Sequence, residues 1–196
     1  MHRTRTFQLR AAAAALSATW ALAAWPVLAQ TQTPAQTPMS PPAAIEAAGP
    51  GAVSTVPVRM TVWGFDVYDA KLWTRAGFAP ATYVRHPFAL ELAYLRGLKG
   101  AAIAQRSLDE MKRQAPINDS QGQVWLQAMQ ALFPDVQKGD RITGVNKPDQ
   151  GAEFWLNDRR LGQVNDPLFA QLFFGIWLSP QTSAPEVRKA LLARWP

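Results

Sequence analysis

The sequence predicts an α+β fold in which helices cover one face of an antiparallel sheet. From Phe88 to Leu95 the side chains alternate, so Phe88, Leu90, Leu92 and Tyr94 share one face, as in a half-buried strand. From Gly100 to Gln114 the apolar residues instead recur at helical spacing. Strand-like segments come first, helices intervene and a second group of strands follows, and this order is typical of the α+β class.

Two further segments in the first half of the chain have sequence patterns that indicate their secondary structure. The stretch from Val58 to Trp73 is β-prone, and its alternation breaks at Tyr68. A change of face of this kind indicates a bulge or a strand buried on both sides. A second helix is predicted from about Asp119 to Phe133. Its expected apolar stripe is formed by Val124, Ala128 and Leu132.

The sequence of the C-terminal part of the chain predicts a β-hairpin followed by a buried helix. Residues 152–156 and 161–164 pair as strands around the turn Asn157-Asp158. Asp166 followed by Pro167 is typical of a helix start, with a capping side chain and a proline in the first turn. The helix that follows, Leu168 to Leu178, is apolar on nearly every side. It is therefore expected to be buried or to cover something apolar.

Residues 1–29 are interpreted as a signal peptide. Three arginines precede an apolar run from Ala11 to Leu28, and Val27 to Ala29 offers a cleavage site. An uncleaved anchor is the alternative, because the run is close to the length that spans a bilayer. Cleavage would remove 3 of the 20 basic and none of the 14 acidic residues, leaving 17 against 14, a net charge of +3. Such a surface does not indicate a nucleic-acid partner.

The chain is divided into three parts by composition. After the signal, residues 30–54 are rich in Gln, Thr, Pro and Ala and carry no hydrophobic periodicity. This composition favours a disordered linker, because there is little to bury. Residues 55–196 contain the tryptophans and phenylalanines of a core and are expected to fold as one domain.

The residue inventory limits the chemistry of this domain. The chain has no cysteine and only two histidines, His2 and His86, so no thiolate or histidine cluster can hold a metal or perform catalysis. We find no glycine-rich phosphate loop and no nucleophile elbow. We therefore expect neither a cofactor nor a metal, and the residues favour a protein that is not an enzyme.

Four segments in order resemble the bacterial exported branch of the chalcone isomerase-like family. They are Trp63–Trp73, Ala131–Asp140, Phe154–Gly162 and Phe174–Leu178. The resemblance implies an open-faced β-sandwich, a large antiparallel sheet curled against a layer of helices with a cleft between them. The plant enzymes of this family close a flavonoid ring in that cleft. Non-catalytic relatives look like fatty-acid binders that hold the carboxylate with an arginine and a tyrosine.

The family's site positions are only partly matched in this sequence. The strand threonine of the enzymes falls at Tyr68, which is similar to the fatty-acid-binding branch. The catalytic helical tyrosine falls at Ile103, the lysine after it at Arg106, and the asparagine one turn further at Glu110. The upstream arginine has its nearest counterpart in Arg59. These departures make flavonoid cyclisation an unfavoured function.

The resemblance therefore implies a periplasmic, non-catalytic protein that binds an apolar or amphipathic small molecule, such as a fatty acid. The expected ligand-binding residues are Tyr68, Arg59, Ile103 and Arg106, with no catalytic residue. Membrane contact is expected only transiently, through the signal peptide. Two alternatives remain: an isomerase or intramolecular lyase with an altered site, and an envelope interaction protein with a filled cleft. The more ordinary interpretation of Arg59 is a solvated residue at a strand start, and that of Tyr68 is a core side chain.

Overall fold

The computed structural model describes residues 43–49 and 51–195, so the predicted signal peptide and residues 30–42 of the predicted linker lie outside it. Within these ranges no helix has the length and apolar character needed to cross a bilayer. A short 3-10 helix spans Pro80–Arg85. The other elements are the helices α1 Ala43–Ala47, α2 Gly100–Lys112, α3 Asp119–Leu132, α4 Pro167–Leu178 and α5 Pro185–Leu191, and the strands β1 Val53–Ser54, β2 Val58–Val62, β3 Phe65–Thr74, β4 Phe88–Tyr94, β5 Arg141–Lys147, β6 Gly151–Leu156 and β7 Arg159–Val164.

The seven strands form one sheet in which every pairing is antiparallel. The main path runs β1-β3-β4-β5-β6-β7, and β2 also pairs with β3. Consecutive strands from β3 onward are therefore neighbours, as expected when short connections link adjacent elements. The predicted α+β class and the open antiparallel sheet with its helix layer are confirmed.

The stretch predicted as one β-prone run is a hairpin rather than a single strand. β2 and β3 are joined by Trp63 and Gly64, whose φ angles are 48° and 80°. The pairing shifts register between Met60 and Thr61, which accounts for the break in alternation seen at Tyr68. Trp63, which would be a core residue in a continuous strand, is 95% exposed at the hairpin tip.

The main core lies between one face of the sheet and helices α2, α3 and α4. Helix α4 is buried over most of its length, as predicted from its apolar sequence. Its start is the predicted one: Asp166 Oδ1 accepts hydrogen bonds from the backbone N–H groups of Leu168 and Phe169. The second carboxylate oxygen accepts a hydrogen bond from the Trp125 indole at 2.9 Å. One side chain therefore caps α4 and joins it to α3.

The apolar stripe predicted for α3 is wrong by one position. The buried residues are Gly122, Trp125 and Met129, whereas Val124 is 57% exposed. The helix turns so that Trp125, its largest side chain, is covered and its indole reaches Asp166. Burying an indole removes more apolar surface from water than burying a valine, and this difference decides the rotation.

The opposite face of the sheet is partly covered by α1. Ala44, Ile45 and Ala48 are buried there and form a second cluster with Ala89 of β4 and Val145 of β5. The predicted linker therefore ends earlier than residue 54. Residues 43–47 form a helix that packs against the sheet, and β1 pairs with β3. Ile45 is the apolar residue that anchors this helix to the sheet. The average composition of residues 30–54 does not reveal it.

Candidate functional site

Tyr68 lies where β3, α2 and α4 meet. It is directly opposite Tyr94 of β4, and the two rings are edge to face with their centroids 6.0 Å apart. On the helix side its ring is edge to face with Trp177 of α4. The Trp177 indole N–H donates a hydrogen bond to the Tyr68 hydroxyl oxygen at 3.0 Å. These contacts orient the Tyr68 hydroxyl beneath the helix layer and leave its own proton free to be donated.

The helix α2 presents a buried carboxylate to the same region. Glu110 is buried, and its Oε1 lies 2.6 Å from Nη2 of Arg106, while its Oε2 lies 3.6 Å from Nε of Arg113. The charge of Glu110 raises the pKa of Tyr68 and that of Arg106 lowers it, so both act on the Tyr68 hydroxyl. Ile103 lies seven residues, or two helical turns, before Glu110 and packs partly buried against the main core. The structure thus places Tyr68 within reach of the charges of Arg106 and Glu110, while Ile103 packs against the same core.

Arg59 lies elsewhere, so the expected clamp of Arg59 with Tyr68 is not formed. Arg59 is paired with Asp69 across β2 and β3, whereas the partner of Tyr68 is Met60. Because neighbouring residues of a strand face opposite sides, Arg59 and Tyr68 lie on different faces of the sheet. The Arg59 guanidinium donates to both oxygens of Asp69, at 2.8 and 3.0 Å, and to Asp66 at 2.9 Å. This pairing lowers the pKa of Asp69.

The tyrosines of the site are neutral donors at physiological pH. Burial raises the pKa of Tyr68 to about 12 and raises that of Tyr94 further. A phenol with so high a pKa keeps its proton near neutrality, so it can donate a hydrogen bond but is a poor general base. The geometry suits recognition of an acceptor oxygen better than proton abstraction.

The space between sheet and helices is filled by aromatic side chains. Phe154 of β6 packs edge to face against Phe133, Phe169 and Phe173, with ring centroids 5.0 to 6.3 Å apart. Phe88 and Phe174 make a similar contact at 4.8 Å. A ligand with a long apolar chain would therefore need the helix layer to move away from the sheet, because these rings occupy the interior.

A separate hollow of about 350 Å³ lies at the other end of β3. Its lining includes Thr74, Arg75, Arg194 and Trp195. Thr74 is six residues from Tyr68 along the strand, which is about 20 Å. The two arginines give this hollow a positive lining, remote from the tyrosines, and Arg194 donates a hydrogen bond to the Ser54 carbonyl at 3.0 Å. Among the described residues, no group of three or more His, Asp or Glu side chains is arranged to hold a metal ion.

Alkaline pH is expected to destabilise the fold through these tyrosines. In the unfolded chain a tyrosine ionises near its ordinary pKa of about 10. Since burial raises the pKa of Tyr68 to about 12, the folded state keeps a proton that the unfolded state has lost as the pH rises from about 10 to 12. Stability is therefore full below pH 10 and falls through that window, by roughly 3 kcal/mol for this group.

Urea titrations between neutral pH and about pH 12 would measure this loss. The variant Tyr68→Phe, which cannot ionise, should lose less stability than the wild type between pH 10 and 12. Equal losses in the two proteins would show that Tyr68 titrates normally in the fold.

The site includes residues that the sequence did not single out for a role. Trp177 binds the Tyr68 hydroxyl, and Tyr94 packs against the Tyr68 ring. In the sequence, Glu110 stands out only as the residue at the family's asparagine position. Its burial could have been suspected from the sequence, because it follows Ile103 by seven residues and so shares the apolar face of α2.

Comparisons with known proteins agree with this architecture. An uncharacterized protein of Haemophilus influenzae is 34% identical over 135 residues, which cover 67% of this chain and 64% of the relative. A crystal structure of a fatty-acid binding protein from Arabidopsis thaliana matches with a TM-score of 0.55, covering 72% of this chain and 85% of that protein. At 12% identity, this second likeness shows a shared fold. The family described as chalcone isomerase-like matches residues 55–193, and the chain belongs to that family.

Proposed function

We propose that this protein is a non-catalytic, periplasmic binding protein for a small apolar or amphipathic molecule, such as a fatty acid, which enters between the sheet and the helix layer. The observation that carries the proposal is the Tyr68 hydroxyl. It is held by Trp177, retains a proton for donation, and lies within the electrostatic reach of Arg106 at the edge of an aromatic interior. A neutral donor near a cation at an apolar boundary suits a ligand with one polar end.

Two observations favour binding over isomerisation. The positions that resemble the catalytic tyrosine and asparagine are occupied by Ile103 and Glu110. The buried tyrosines are protonated near neutral pH, so neither supplies a base for a cyclisation that begins from a phenolate. His86, the histidine of the described chain, lies against Phe78 and Thr82, outside the region of Tyr68.

The test is to identify a ligand and then weaken its binding at one atom. The full chain would be expressed, and its exported form purified without detergent. Organic extraction and mass spectrometry should recover a stoichiometric lipid or carboxylic acid. Titration with a long-chain fatty acid should then show Tyr68→Phe binding about tenfold to a hundredfold more weakly, since one hydrogen bond to a charged group is lost.

A matched control is Tyr83→Phe, which also removes one tyrosine hydroxyl. The Tyr83 hydroxyl donates to the carbonyl of Gln171 at 2.8 Å and serves packing of the 3-10 helix on α4. This variant should bind the fatty acid like the wild type. Absence of any extracted molecule together with no uptake of fatty acid would refute the binding function.

A second candidate function is an envelope interaction protein with a closed interior. The packing of Phe154 among three other rings favours it, because that interior needs no ligand to be complete. Failure of uptake, with the fold intact, would support this candidate.

A further inference from the structure

The tip of the β2–β3 hairpin carries a residue that the fold itself does not favour there. Trp63 and Gly64 both have positive φ, the pattern of a type I′ turn. The first position of that turn is best served by Asn or Asp, and a bulky side chain at positive φ is unusual. Trp63 is also 95% exposed, so it has almost no packing to offset the strain. Neither local propensity nor burial explains a tryptophan at this position.

The neighbours of Trp63 extend this feature into a small amphipathic finger. Phe65, which follows the turn on β3, is 61% exposed. The Arg96 guanidinium lies over the Phe65 ring, 5.2 Å from its centroid. In the described part of the chain Arg96 has no salt bridge, whereas the carboxylate of Asp66 beside Phe65 is held by Arg59 and Thr61. Arg96, the cation that stays available here, thus lies against Phe65, close to the turn that carries Trp63.

We propose that this finger, formed by Trp63, Phe65 and Arg96, inserts into the interfacial layer of a lipid bilayer, with Arg96 on an anionic lipid phosphate. Tryptophan is enriched at the interface of bilayers, where its ring is apolar and its N–H stays hydrated. Phe65 adds apolar area, and a cation at the same level favours anionic headgroups.

The shape of the finger favours a lipid surface over a protein partner. A stable protein interface buries about 800 Å² on each side over some twenty residues. Here the exposed aromatic rings project from a two-residue turn, and the next residues inward, Arg59, Asp66 and Asp69, form a solvated ionic network. Apolar rings at the tip with charges behind them match the depth profile of a membrane interface.

The proposal stands independently of the ligand site, because the finger and the Tyr68 region use different side chains. It also differs from the expectation that membrane contact ends with the signal peptide. Phe65 and Tyr68 lie three residues apart on β3, which is about 10 Å. If both proposals hold, the finger would therefore place the ligand site near the bilayer.

Co-sedimentation with vesicles tests the finger directly. The protein, purified in its exported form, would be mixed with vesicles of equal parts phosphatidylglycerol and phosphatidylcholine. Trp63→Asn should lower the partition coefficient by about tenfold or more. Because Asn suits the turn, thermal unfolding of this variant should occur at or above the wild-type temperature. A loss of binding could then not be assigned to a damaged fold.

Two further variants separate the contributions at the tip. Arg96→Gln should weaken binding to the mixed vesicles severalfold but leave binding to pure phosphatidylcholine unchanged. Val56→Ser removes another exposed apolar side chain, which is 79% exposed and lies two residues before the start of β2, away from the hairpin tip, and it should bind like the wild type. The proposal is overturned if the wild type does not sediment with the mixed vesicles, or if Trp63→Asn sediments equally well.

Discussion

Replacing Gly100 by alanine is expected to destabilise the protein by at least about 3 kcal/mol. Gly100 opens α2 and lies against the chain that follows α3. A Cβ atom at this position would overlap the carbonyl oxygen of Phe133 and come within 2.8 Å of the Pro134 carbonyl carbon. These are backbone atoms, which cannot move away as the end of a side chain can. The Gly100 N–H also donates to Asp135 at 3.0 Å, so a shift of α2 would break that bond.

A matched control is Gly122→Ala at the end of the first turn of α3. There the nearest atom to the added Cβ is Cε of Lys112 at 3.5 Å, an ordinary contact. Alanine is a better helix former than glycine, so this variant should be more stable than the wild type by roughly 0.5–1 kcal/mol. Urea unfolding followed by tryptophan fluorescence measures both changes. The close packing of α2 on residues 133–135 would be contradicted if Gly100→Ala unfolded at the wild-type urea concentration.

Replacing Glu110 by glutamine is expected to strengthen the binding of a carboxylic acid by tenfold or more. Glu110 is a buried carboxylate close to Tyr68, and it already occupies Arg106 at 2.6 Å. A ligand carboxylate arriving at Tyr68 would meet a like charge, which costs about 3 kcal/mol for unit charges 6 Å apart at an effective dielectric of 20. Glutamine keeps the shape of the side chain, removes the charge and releases Arg106 for the ligand. Glu110 therefore acts as a built-in competitor for a carboxylate.

The comparison needs a charge-matched variant and an uncharged ligand. Asp109→Asn removes one negative charge from the adjacent, exposed position of α2, where the carboxylate accepts a hydrogen bond from Gln105. This variant should leave fatty-acid affinity unchanged. A fatty alcohol of the same length should bind Glu110→Gln and the wild type equally well. A weaker fatty-acid affinity in Glu110→Gln would refute the role of Glu110 as a competitor and would mean that Glu110 supports binding.

Much of the secondary structure could be predicted because its signals are local. Asp166-Pro167 starts α4 where expected, since a capping side chain acts on the next three residues. Asn157 adopts φ 53° in the turn of the β6–β7 hairpin, as its preference for such turns allows. The sequence gives no signal for the Trp63-Gly64 turn, because tryptophan is a poor residue for a positive φ and the segment has the composition of a strand.

The candidate site was harder to predict because its parts come from distant segments. Arg59 and Tyr68 were near in sequence, and the register of β2 on β3 separated them onto two faces. A shift of one residue in such a pairing reverses the faces, and no local property of Arg59 reports it. Trp177 lies more than one hundred residues from the hydroxyl that it binds. Such a contact is visible only when the helix layer is packed on the sheet.

The sequence by itself determined the α+β class, the family, the buried character of α4 and the absence of thiol chemistry, because these follow from composition, periodicity and ordered motifs. The tertiary structure alone decided that Arg59 and Tyr68 take opposite faces, that Trp177 binds the Tyr68 hydroxyl, and that α1 packs on the second face of the sheet. The physical reason is that burial and charge pairing depend on what packs opposite a residue. A helix or strand can present the same side chain to water or to the core with little change in its local energy.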